Sequence, residues 1–148
     1  MTRPRARAMA AAIAMAMSVF VHAQPQQYRA RLSVVPIDIP MQSAIAGSGA
    51  ATATLKGTTL TINATFAGLK TPATVARVHR GPRTAMRGPA IGDLTVTAAT
   101  SGSVTGSIEL TREQIDDLAA GRLYIQVHSQ KAPDGNLWGW LLASEVKK

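Results

Sequence analysis

Thr59-Leu60-Thr61-Ile62-Asn63-Ala64-Thr65-Phe66 is the stretch from which the fold class is read. Leu60, Ile62, Ala64 and Phe66 fall on one side of an extended chain, and Thr59, Thr61, Asn63 and Thr65 fall on the other. This period of two predicts a strand with one buried and one wet face, and therefore an antiparallel sheet. Just upstream, Ala51, Ala53 and Leu55 alternate with Thr52 and Thr54 up to Lys56-Gly57, which predicts a hairpin. Tyr28, Ala30, Leu32 and Val34 alternate in the same way before a Pro/Gly/Ser-rich stretch over 36–49. Downstream, extended segments at 75–79, 94–98 and 104–110 are separated by Gly, Pro, Ser or Thr clusters, and segments at 123–129 and 137–143 complete the set. Seven to eight strands at this spacing predict an all-β sandwich or barrel. Pro133-Asp134-Gly135-Asn136 reads as the turn between the last two strands. One short helix near 112–120 interrupts the pattern. Thr111-Arg112-Glu113-Gln114 fits a capping box, Ile115, Leu118 and Ala119 form its apolar stripe, and Gly121 stands where a left-handed terminus is wanted. Glu109, Glu113, Asp116 and Asp117 gather around the helix start, where they complement its dipole.

A chain of 148 residues, 46% hydrophobic and without cysteine, makes one domain. The missing cysteines exclude a disulfide scaffold, a thiol nucleophile, a Cys-ligated zinc and an iron–sulfur cluster. Arg3, Arg5 and Arg7 precede an uncharged apolar run over 8–21, and Val21-His22-Ala23 follows with small residues. This predicts a signal peptide over 1–23 and a single domain over 24–148, exported to the periplasm or secreted. The 14-residue run reaches about two thirds of a roughly 30 Å hydrocarbon core, so no membrane span is expected in the mature chain. Cleavage leaves 13 basic against 8 acidic groups, a net charge of +5. Such a chain meets anionic surfaces, polysaccharides or proteins, and nucleic acid is set aside.

Four segments in order carry a family resemblance: Ala76-Arg77-Val78-His79-Arg80-Gly81, Leu110-Thr111-Arg112-Glu113-Gln114-Ile115, Ala120-Gly121-Arg122-Leu123-Tyr124-Ile125-Gln126-Val127-His128-Ser129 and Pro133-Asp134-Gly135-Asn136-Leu137-Trp138-Gly139. The set resembles the CHRD domain, the module named after chordin and found also in exported bacterial proteins, over about 28–142. The resemblance implies an immunoglobulin-like antiparallel β-sandwich with a binding or interaction role and no settled enzymatic activity. Two departures touch polar groups. Arg77 stands where the family's Ala-His-Ile-His has its first histidine, leaving His79, and Asn136 and Trp138 stand where glutamate and arginine are expected.

The candidate recognition surface is a polar strand face with Arg77, His79, Gln126 and His128, flanked by Arg80, Arg83 and Arg87, and joined by Trp138. Lys70, Arg77, Arg80, Arg83 and Arg87 are interrupted by no acid between Gly57 and Gly92, which suits a carboxylate, sulfate or phosphate. An ordinary solvated loop is the plainer reading. Trp138, Trp140 and Leu142 share one face of a strand and Leu137, Gly139 and Leu141 the other. Core or sheet-edge packing is expected for the tryptophans, with an aromatic platform as the alternative. No cofactor is expected. As the alternative, His79 and His128 hold copper or zinc, with Asp134, Met41 or Met86 available to complete the set. The plainer reading gives both histidines hydrogen bonds at strand ends. No nucleophile elbow or phosphate-cradling glycine motif occurs, so an enzyme is not expected. A structural envelope role is the third reading.

Overall fold

The structure is a computed structural model that describes residues 24–144. The leader expected over 1–23 lies outside the described residues. The strands are β1 (Gln26–Val34), β2 (Ser48–Lys56), β3 (Thr59–Ala67), β4 (Ala73–Arg80), β5 (Ala90–Val96), β6 (Gly102–Glu109), β7 (Leu123–Ser129), β8 (Ala132–Trp140) and β9 (Leu142–Ala143), with one helix, α1 (Arg112–Ala119), between β6 and β7. The parity read from the sequence holds. Leu60, Ile62, Ala64 and Phe66 are buried in β3, and β2 pairs with it through the expected hairpin, from Lys56↔Thr59 outward.

Every strand pairing is antiparallel, and the pairings run β1-β2-β3-β6-β5-β4-β7-β8 and return to β1. The sheet is therefore a closed eight-stranded barrel, with β9 continuing the β8 edge along β1 in the same register. This corrects the immunoglobulin-like sandwich, in which two sheets would face each other with free edges. Two strands change partner along their length. β1 pairs with β2 through Leu32 and with β8 at Ser33 and Val34, while β5 pairs with β4 through Leu94 and with β6 at Thr95 and Val96. Small residues allow the second corner. A Cβ on Gly92 would come within 2.6 Å of Ile108, and one on Gly106 within 2.8 Å of Leu94, so facing strands approach there as no larger residue permits.

The interior is continuous and apolar, built on Leu32, Leu60, Ile62, Val78, Val104, Ile125, Val127, Leu137 and Leu141 among others. Fully burying one such side chain is worth about 1.5–3 kcal/mol. Helix α1 adds Leu118, fully buried, and Ile115 to this core. Its start has the expected capping box: Gln114 N–H donates to the Thr111 hydroxyl at 3.2 Å and Thr111 N–H to Gln114 Oε1 at 3.0 Å. Gly121 ends it at φ +71°. The outward residues of β3 are threonine and asparagine, the reverse of the apolar-outside pattern of a lipid-spanning barrel. Among the described residues, no helix is long and apolar enough to cross a membrane.

The turn expected at 133–136 is also corrected. The β7–β8 turn falls at Gln130 and Lys131, and Pro133–Asn136 lies inside β8. Pairing passes from Ser129↔Ala132 to Val127↔Leu137, so four residues of β8 stand opposite His128 alone. The sequence signals of a turn are here the signals of a wide bulge, because both need backbone that leaves the ladder. Gly135 sits in it at φ +126°, and a Cβ there would come within 2.7 Å of Gln126 Nε2.

Candidate functional site

Strand pairing assembles the site on the outer face of β4, β7 and β8. Arg77 lies opposite Gln126, which lies opposite Trp138; His79 lies opposite Tyr124, which lies opposite Trp140. Since Leu123, Ile125 and Val127 fill the barrel, Tyr124, Gln126 and His128 must point out of it. They do not meet open solvent. Tyr124 is 1% exposed and Gln126 3%, because the segment 81–89 folds back over one end of this face and the bulge covers the other.

Hydrogen bonds fix that cover. Arg80 N–H donates to Pro89 O at 2.9 Å and Gly81 N–H to Arg122 O at 2.8 Å, closing the base of the loop. The Tyr124 hydroxyl accepts from Gly88 N–H at 3.0 Å and donates to Gly88 O at 3.2 Å. Thr84 donates to Gly121 O at 2.8 Å and ties the loop to the helix end. Asn136, one of the departures from the family pattern, is fully buried and pins the bulge, donating to Ala46 O at 2.7 Å and accepting from the Ser129 hydroxyl.

Under the cover lies an aromatic cluster centred on Tyr124. Its ring stacks on His79 with centroids 4.9 Å apart and planes at 19°, lies 4.3 Å from Trp140, and meets Trp138 nearly edge-on at 5.8 Å. The tryptophans therefore leave the barrel core to Leu137, Gly139 and Leu141, and pack half-buried on the outside. Arg87 lies over Trp138, its guanidinium carbon 5.7 Å from the ring centre, and donates to Asp134 O at 3.0 Å.

The two histidines, 6.4 Å apart between ring centres, are held alike. His79 Nδ1 lies 2.9 Å from Gly88 O and His128 Nδ1 2.7 Å from Pro133 O. A carbonyl only accepts, so each Nδ1 carries the proton and each Nε2 a lone pair. The strand-end hydrogen bonds of the plainer sequence reading are thus present. Burial lowers the pKa of His79, and the charges of His128, Arg77 and Arg87 lower it further against the bond to Gly88. Three buried polar atoms here have no hydrogen-bond partner: His79 Nε2, Gln126 Oε1 and Trp140 Nε1.

The structure joins some of the expected residues and separates others. Arg77, His79, Gln126, His128, Trp138 and Arg87 meet. Arg80 turns away: its guanidinium binds Glu113 at 2.6 Å and the buried Asp117, and Asp117 also holds Arg122 at 3.1 Å. The bond to Glu113 chiefly raises the pKa of Arg80. Asp117 thus joins the end of β4 and the residue before β7 to the helix rather than serving its dipole. Glu109 accepts the Thr58 and Thr59 hydroxyls at the end of β6, which lower its pKa. Arg83 Nε contacts Met86 Sδ at 2.8 Å, and Met41 packs on a separate small cluster with Val35, Ile45 and Ala132. Tyr124 was not among the expected site residues, and Trp140 entered only through the alternative of an aromatic platform with Trp138. Their alternation with Gln126 and Trp138 was the available signal.

An antiparallel barrel with a covered aromatic and histidine corner on its outside is an all-β scaffold whose fold alone assigns no function. The model of the CHRD domain matches residues 28–141, and the chain belongs to the CHRD-domain family. Searches of curated proteins and of solved structures returned no match.

Proposed function

We propose that this chain is an exported, non-catalytic interaction module that recognises an anionic partner at the corner formed by segment 81–89, His128 and Trp138. The observation that carries this reading is the state of two arginines. Arg83 and Arg87 are exposed, and among the described residues neither pairs with a carboxylate, whereas Arg77, Arg80, Arg112 and Arg122 do. Arg87 is also preset: its stacking on Trp138 and its bond to Asp134 O restrict the side chain beside His128. A guanidinium ordered in this way loses little further entropy on meeting a carboxylate or sulfate. Family membership supports a binding role, and the apolar run over 8–21 supports export.

Chromatography on a sulfated polysaccharide tests the reading. The Arg83→Ala/Arg87→Ala variant should elute at clearly lower salt than wild type, and Arg80→Ala should elute with only a small change. Equal elution of the double variant and wild type would sink the proposed surface and leave the structural envelope role. An intact mass starting at Gln24 for protein recovered from the envelope fraction would test export.

A further inference from the structure

We propose that His79, Gln126 and His128 form a site for a soft monovalent metal ion, copper(I), with the two imidazole Nε2 atoms as its principal ligands. Nothing in the anion-binding reading requires this site, which shares His128 with that surface and adds His79 and Gln126.

Two buried acceptors without a donor, and a third held by one long contact, belong to neighbouring side chains on this face. Both imidazoles are locked by backbone carbonyls at Nδ1, the arrangement that orients metal-ligating histidines. His79 Nε2 is buried and unpartnered, as is Oε1 of Gln126, itself 97% buried. His128 Nε2 has only the amide nitrogen of Gln126, at 3.3 Å, a long contact that a metal ion can replace. Strand register puts Gln126 diagonal to His79 across the β4–β7 pair and two residues from His128 along β7. Trp140 Nε1, the third orphan, is a donor and takes no part.

The ring spacing accommodates one ion. A ring bound through Nε2 at about 2.0 Å has its centre about 3.2 Å from the metal. Two imidazoles on opposite sides of one ion then lie about 6.4 Å apart, and at a tetrahedral angle about 5.2 Å apart. The observed 6.4 Å fits the extended, two-coordinate arrangement that copper(I) accepts and zinc(II) does not. Charge agrees. The donor set is neutral, and the charges facing it are Arg77, paired with exposed Asp93 at 2.8 Å, and Arg87 over Trp138. A monovalent ion meets half the repulsion that a divalent one would.

The test is an anaerobic titration of the purified full chain with copper(I) against a colorimetric copper(I) chelator, with zinc(II) in parallel. One equivalent should bind, quench the fluorescence of adjacent Trp138 and Trp140, and shift the Nε2 resonances of both His79 and His128 in nitrogen NMR of wild type. His128→Ala, at a half-exposed position, should keep its melting temperature and lose at least tenfold in copper(I) affinity. Arg83→Ala/Arg87→Ala should keep copper(I) binding, which separates this site from the anion surface. Binding well below one equivalent, a shift at only one histidine, unchanged affinity in folded His128→Ala, or tighter binding of zinc(II) would each overturn the proposal.

Discussion

The β2-β3-β6 side of the barrel and the β4-β7-β8 side obey one rule inside and opposite rules outside. In both, alternate residues fill the same core: Ile62 and Val104 on one side, Ile125 and Leu137 on the other. Outside, the first presents threonine, serine and asparagine to solvent, with hydroxyl contacts such as Thr61 to Ser107 at 3.0 Å. The second presents Tyr124, Gln126, Trp138 and Trp140, and must cover them with a loop and a bulge. The lesson is that a strand's outward parity does not make a residue solvated. What lies outside the barrel can still be buried, and chemistry gathers where the cover is imperfect.

The strongest way to break this contrast is a pair of outward substitutions. Tyr124→Ala should destabilise the fold by about 3–5 kcal/mol, as a core aromatic would. Thr61→Ala, equally outward on the other side, should stay within about 0.5 kcal/mol. Urea unfolding of the two proteins checks this, and equal losses would erase the distinction. A smaller effect tests the bulge. Gly135→Ala meets both the left-handed backbone and the Gln126 amide, and should cost about 1–3 kcal/mol. The same change at exposed Gly57, where a Cβ meets nothing, carries the backbone cost alone.

The smallest effect is on pH dependence. The His79 imidazole titrates near 6.5 when unfolded and lower in the fold, so the unfolded chain holds the extra proton between those values. Its stabilising contribution is complete above the unfolded value and is lost as pH falls through the folded one. Wild type should therefore lose more stability than His79→Phe between about pH 7.5 and pH 5. Identical losses would show that the covered corner imposes no cost on the charged imidazole.

The contrast also explains what could be read beforehand. Strand parity was legible in β3 because a half-buried strand needs its alternation, in β7 because Gln126 and His128 alternate with apolar residues, and the helix was legible because Thr111 and Gln114 are spaced for a capping box. Closure of the barrel was not, since it depends on where β1 and β5 exchange partners, a property of register across the chain. Pro133-Asp134-Gly135-Asn136 misled because turn and bulge call for the same residues. At the site, the faces of Gln126 and His128 followed from parity, but the meeting of His79 with His128 followed only from the β4–β7 register. Nothing local to Arg80 reveals its engagement with Asp117, which lies 37 positions along the chain.

β1 closes the barrel by pairing at once with β2, β8 and β9, so the earliest strand of the domain waits for the latest. A contact between Ser33 and Trp138 spans almost the whole domain, and its loop-closure entropy must be met before the ring gains anything from it. Such topologies fold in milliseconds to seconds rather than microseconds. A nascent chain still tethered at its end can form the β2–β3 hairpin, but the ring can shut only once residue 138 and those beyond it are free to move.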